Sequence, residues 1–82
     1  MKIENVQVEQ ISKNHFRIIT SEGQYLQSCY KLVAFIDNKG KRYIDSNYLS
    51  YSTNRINYIA RFFNLTKRDL YLSYKNGTIK TI

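Results

Sequence analysis

"YLSYSTNRINYIARFFN", residues 48–64, is where the apolar spacing of the chain changes, and that change decides the fold. Its first residues are hydroxyl-rich and carry no period, so they read as a loop. Ser52 or Thr53 is a suitable N-cap, because a hydroxyl oxygen can accept from a free backbone N–H of the first helical turn. Ile56, Ile59, Ala60 and Phe63 then recur at three- and four-residue steps, the spacing of one helix face. A helix over 53–64 is predicted, with those four residues inward. Arg55, Tyr58, Arg61 and Phe62 fall off that stripe and are the residues that need another explanation. Tyr58 and Phe62 are four apart and are expected to stack along one face.

Upstream the pattern is that of strands. "KIENVQVEQI" is rich in β-branched residues, and "HFRIIT" alternates after the turn signal "SKN". "SEGQ" reads as a tight connection. Residues 25–37 read as one long bent strand, or as two strands meeting at a kink near Tyr30. "DNKG" is the clearest turn, with Gly40 suited to the left-handed position of a hairpin loop. "KRYID" pairs back from it. Downstream, Thr66 and Asp69 have capping-box spacing, Leu70, Tyr71 and Tyr74 line one helix side, and Asn76-Gly77 is a stop. "TIKTI" is short and β-prone, suited to an edge strand. The expectation is one α+β domain over 1–82: an antiparallel sheet of four to five strands followed by one long or two short helices.

The chain has 82 residues and a formal net charge of +7. Up to Tyr30, Lys2, Lys13 and Arg17 are matched by Glu4, Glu9 and Glu22. From Lys31 onward ten basic residues face only Asp37, Asp45 and Asp69, so the whole excess lies in the second part. Such asymmetry fits an anionic partner. The chain is also rich in Ile, Lys, Asn and Tyr and has no Pro, as AT-rich coding alone would produce. No apolar run approaches the ~20 residues of a membrane span, and "MKIENVQVEQ" has no signal-peptide core. One cysteine, Cys29, excludes a disulfide framework within the chain and fits a reducing, cytoplasmic setting.

Enzymatic chemistry is not expected, nor is a cofactor or a metal. His15 is the only histidine, and nothing in the spacing aligns it with Cys29 as a base. "DNKGK" holds one glycine and is no phosphate loop. Three basic surfaces remain: Lys39, Lys41 and Arg42 around the hairpin; Arg55 and Arg61 with Tyr58 and Phe62 on the first helix; Lys67 and Arg68 at the start of the second. Tyr51 and Tyr58 are candidates for base stacking. Each has an ordinary reading beside it: a solvated turn, a second helix covering the aromatics, tyrosine as a common sheet residue.

"GQYLQSCYKLVAFID", a hairpin, "RYID" and "YSTNRINYIARFFNLT" together resemble an uncharacterised family of small proteins from phages of low-GC Gram-positive bacteria. Leu26, Gln27 and Ser28 stand in its first motif, with Cys29 where an aromatic is usual. Tyr51, Ser52 and Thr53 stand in the second, and Tyr58, Arg61 and Phe62 in the third. The resemblance implies a phage or mobile-element origin and carries no activity. The leading expectation is therefore an accessory protein that binds nucleic acid through its basic second half. The alternative is an inhibitor that docks on a host or anti-phage defence protein, for example a CRISPR nuclease. A homo-oligomer or homodimer with tyrosines at the interface is the third.

Overall fold

A computed structural model describes residues 6–82. Five strands form an antiparallel meander: β1 (Gln7–Ser12), β2 (His15–Thr20), β3 (Gly23–Ser28), β4 (Lys31–Asp37) and β5 (Arg42–Ile44). A short 3-10 turn, Tyr48–Ser50, leads into α1 (Thr53–Phe62) and α2 (Lys67–Lys75). A two-residue strand, β6 (Lys80–Thr81), closes the sheet by pairing parallel to β5, giving the order β1-β2-β3-β4-β5-β6. The architecture is the expected α+β layering with one more strand. The part of the first expected strand over residues 2–5 lies outside the described residues.

The stretch 25–37 is two strands, not one bent strand. Ser28 pairs with Lys31, so Cys29 and Tyr30 alone turn the chain. Cys29 takes φ 58, a left-handed angle costly for a residue with a Cβ. Tertiary bonds hold it there. The Cys29 N–H donates to the Asn14 carbonyl (2.7 Å), and the Gln27 amide donates to the Cys29 carbonyl (3.1 Å). Gly40, at φ 84, meets the demand of the DNKG hairpin as expected. In β4 the pairing steps from Leu26–Ala34 to Gln27–Leu32, which leaves Val33 as a buried bulge whose carbonyl accepts from the Asp45 N–H (2.9 Å).

Both helices start as their sequences ask. Ser52 caps α1 by accepting from the Arg55 N–H (3.3 Å), and Thr66 caps α2 by accepting from the Asp69 N–H (3.0 Å). The end of α1 is a Schellman motif with Asn64 left-handed at φ 59. The Asn64 N–H reaches the Arg61 carbonyl (3.0 Å), and the Leu65 N–H the Ala60 carbonyl (2.8 Å). The helix thus stops at Phe62, two residues before the expected end.

The helices cover one sheet face. Across that face run Glu9, Arg17, Leu26, Ala34 and Ile44 in register. The core joins Leu26, Val33, Ala34 and Ile44 of the sheet to Tyr48, Ile59, Ala60, Phe62, Phe63, Leu70 and Ile79. Each large aliphatic side chain buried here contributes roughly 1.5–3 kcal/mol. Phe62 corrects the expectation: it is core, not an off-stripe surface aromatic. Its ring lies 5.4 Å from that of Phe63, with the Arg17 guanidinium 5.8 Å above it. Ile56, expected inward, is half-buried and packs on the core margin.

Candidate functional site

Antiparallel topology sorts the candidate residues to opposite ends of the sheet. The DNKG hairpin, the end of α1 and the start of α2 share one end, because Arg42 Nη2 donates to the Phe63 carbonyl at 3.1 Å. At this end Lys39 and Lys41 stand exposed on the hairpin, Arg61 is exposed in the last turn of α1, and Lys67 and Arg68 are exposed in the first turn of α2. None of these five forms an ion pair among the described residues. Asp37 adds little competing attraction, being turned onto its own loop. One of its oxygens accepts from the backbone N–H of Lys39 (2.9 Å) and of Lys41 (2.8 Å). Burial works to raise its pKa, but those donors and Tyr43 outweigh it and the net shift is downward, so the carboxylate stays ionised as a turn anchor. Arg42 belongs to a different category from its neighbours. Its guanidinium closes the end of α1 and lies 5.9 Å over the Phe63 ring, so it holds the fold together.

The opposite end gathers the two turns 13–14 and 29–30 and the start of α1. Here Tyr51 is no free stacking platform. Its hydroxyl donates to Asp45, and the Arg55 guanidinium covers its ring at 4.8 Å. Arg55 also donates to the Cys29 sulfur at 3.0 Å, linking α1 to the β3–β4 turn. Tyr58 stacks on His15 with ring centroids 3.9 Å apart, while Arg61 lies 6.0 Å over it. The expected Tyr58–Phe62 stack is therefore absent: Phe62 turns into the core and Tyr58 lies over the imidazole. Arg55, on Cys29, and Arg61, over Tyr58, are separated by six residues, about 9 Å along the helix axis.

Two polar centres at this end carry no sequence motif. His15 is buried and bonds Ser12 Oγ through Nδ1 (2.8 Å) and Ser28 Oγ through Nε2 (3.0 Å). A serine hydroxyl can donate or accept, so both bonds are open to the neutral imidazole, with one nitrogen accepting and the other donating. Burial lowers its pKa, and the nearby Arg55 charge lowers it further. With both nitrogens engaged by serines, His15 has none left to act on Cys29. Asp45 is the second centre. Its carboxylate accepts from the Asn47 N–H (3.1 Å), from Tyr51 and from Lys31 Nζ (2.8 Å). Burial tends to raise its pKa, but these donors, Lys31 first, bring it below the ordinary value, while Lys31 is raised chiefly by the bond to Asp45. The sequence signal for Ser28 was parity alone: it lies two residues from Leu26 and shares its inward face. Asp45 gave none beyond its place at a strand end.

Among the described residues no three His, Cys, Asp or Glu side chains are grouped to hold a metal, and no helix is long and apolar enough to cross a membrane. Compared with known proteins, the chain matches no family model, no curated protein and no solved structure. The resemblance to small phage proteins therefore rests on the quoted motifs.

Proposed function

We propose that this is a non-enzymatic binding protein, an accessory protein of a phage or mobile element, that holds nucleic acid by its phosphates at the basic end. The observation that carries this reading is that Lys39, Lys41, Arg61, Lys67 and Arg68 are all exposed and none is in an ion pair among the described residues, on a hairpin and a helix junction that the Arg42–Phe63 bond ties together. Lys67 and Arg68 lie in the first turn of α2, where their charge opposes the helix dipole. A phosphate there relieves that opposition and meets free backbone N–H groups. With Tyr51 and Tyr58 engaged inside the fold, the contact is electrostatic, and sequence preference is not expected from it.

Fluorescence anisotropy with labelled single- and double-stranded oligonucleotides tests this. Five phosphate contacts give a log–log salt slope of about −4.5, a loss of roughly 500-fold between ~50 and ~200 mM salt. Each of Lys39→Glu, Lys41→Glu and Arg68→Glu is expected to weaken binding for all sequences alike and to flatten the slope by about 1. Absence of binding at low salt, or variants that bind as the parent does, overturns the reading. Retention on an acidic host protein after nuclease treatment would then move the same surface to a defence or replication partner.

A further inference from the structure

The sheet face opposite the helices is covered by no described residue, and it is apolar. Register places Val8, Ile18, Tyr25, Phe35 and Tyr43 in one row across β1 to β5, and Gln10, Phe16, Gln27 and Leu32 in the next. Val8 is 63% exposed and Leu32 46%. Tyr25, Leu32, Phe35, Tyr43 and Ile82 line a shallow cavity of about 270 Å³ between the rows. Neither row holds a charged side chain in β1 to β5. The nearest charges are Lys80 on β6 and a rim of Glu22, Asp37, Lys39 and Lys41.

We infer that this face is a self-association surface, and that its occupant is the same face of a second copy of this chain. Three observations favour that occupant. First, the face is unsuited to nucleic acid. Tyr25 stacks on Phe35 at 4.4 Å and Phe35 on Tyr43 at 5.6 Å, so the rings present faces to each other and edges outward, and the cation in line with them is Lys80, beside Tyr43 at the β6 edge. Second, a two-fold contact sets each residue near its own mate. In a chain of charge +7, a surface bearing the clustered cations would repel its copy, whereas a face with Lys80 at one edge and no charge in its rows from β1 to β5 repels far less. Third, the area fits a weak dimer. β1 to β4 are six or seven residues long and β5 and β6 three and two, and at ~4.8 by ~3.3 Å per residue they make a face of roughly 480 Å². Two such faces bury on the order of 1,000 Å², the lower bound for a specific interface. The inference does not rest on the nucleic-acid reading: the two surfaces meet only at Lys39 and Lys41, which rim this face and belong to the basic end.

Sedimentation velocity and methyl NMR over roughly 10 μM to 1 mM, the range in which so small an interface associates, test it. The chain is expected to pass from 9.8 kDa toward twice that mass, while Leu32 and Ile82 methyl signals shift with concentration and buried Leu70 does not. Leu32→Lys and Val8→Lys, both at exposed positions, are expected to stay at monomer mass with an unchanged far-ultraviolet circular dichroism spectrum. The inference is overturned by a parent chain that remains monomeric throughout. It is also overturned by dimers that persist in both folded variants, or by a folded variant that loses nucleic-acid affinity, which would make the face part of that surface. Shifts confined to Leu32 and Ile82 in the parent support the inference even where a variant fails to fold.

Discussion

Replacing Asp45 by Asn tests how the β5–α1 connection is held. The substitution keeps size and shape and removes the charge. The amide oxygen can still accept from the Asn47 N–H, so that bond survives. The bond from Tyr51 does not survive intact, because the hydroxyl now faces either a neutral oxygen or an amide donor. Lys31 lies largely in solvent, and water replaces its partner. The loss is therefore dominated by one charge-assisted hydrogen bond in a half-buried site, about 2 kcal/mol. For a domain of this size that lowers the melting temperature by roughly 8–16 °C. Urea denaturation and thermal melts of the parent, Asp45→Asn, Tyr51→Phe and the double variant measure it. The two single losses should overlap, so that the double variant is barely less stable than Asp45→Asn alone. The pH dependence has a definite sign. The folded pKa of Asp45 is depressed below 3.8, so its contribution is fully present above that value and is lost as pH falls through the folded pKa. The acid limb of the stability profile should be shallower in Asp45→Asn. A change under ~0.5 kcal/mol, or strict additivity with Tyr51→Phe, would refute the account of this connection.

Other expected outcomes concern the interior. The pKa of His15 is lowered in the folded chain by burial and by Arg55, so the unfolded chain takes up the proton more readily. Stability should therefore fall as pH drops below about 6.5, by at most ~1.4 kcal/mol per unit, and His15→Gln should remove that slope in melts between pH 7.5 and 5. Tyr48 is 1% exposed, its ring edge-on to Tyr74, and its hydroxyl has no partner among the described residues. Tyr48→Phe should be neutral or stabilising by about 1 kcal/mol in urea denaturation, since it removes only an unsatisfied polar atom. Phe62→Ala should cost about 3–5 kcal/mol, enough to unfold much of the chain at 25 °C. Tyr30→Ala, at a fully exposed side chain, should stay within ~0.5 kcal/mol by the same measurement.

The sequence was most legible where local chemistry acts alone. Ser52, Thr66 and Asn76-Gly77 bound the helices by bonds within a few residues, and the DNKG loop turns on its own glycine. It was least legible where a distant partner decides. No turn residue marks Cys29-Tyr30, because the Asn14 carbonyl and Gln27 supply what a glycine elsewhere would. Helical spacing selects Phe63 over Phe62, yet both are buried, since the Arg17 side chain receives Phe62 and Arg42 receives Phe63. The basic end was legible as three charged segments. Their meeting at one end of the sheet, and the withdrawal of Arg42, Tyr51 and Tyr58 into the fold, follow from topology, which composition does not carry.

The parallel pairing of β6 with β5 has a kinetic consequence. Each strand pair from β1 to β5 is joined by a short turn and can form as soon as its residues are available. β6 must instead wait for a loop of about 35 residues to close, a cost of roughly 3 kcal/mol in chain entropy before any contact repays it. The meander is thus the part able to assemble early, and β6, with only two paired residues, docks last and opens first. Ile79 enters the core in the same step, so hydrogen exchange should report the β5–β6 bonds and the Ile79 amide as one unit, released ahead of β3 and β4.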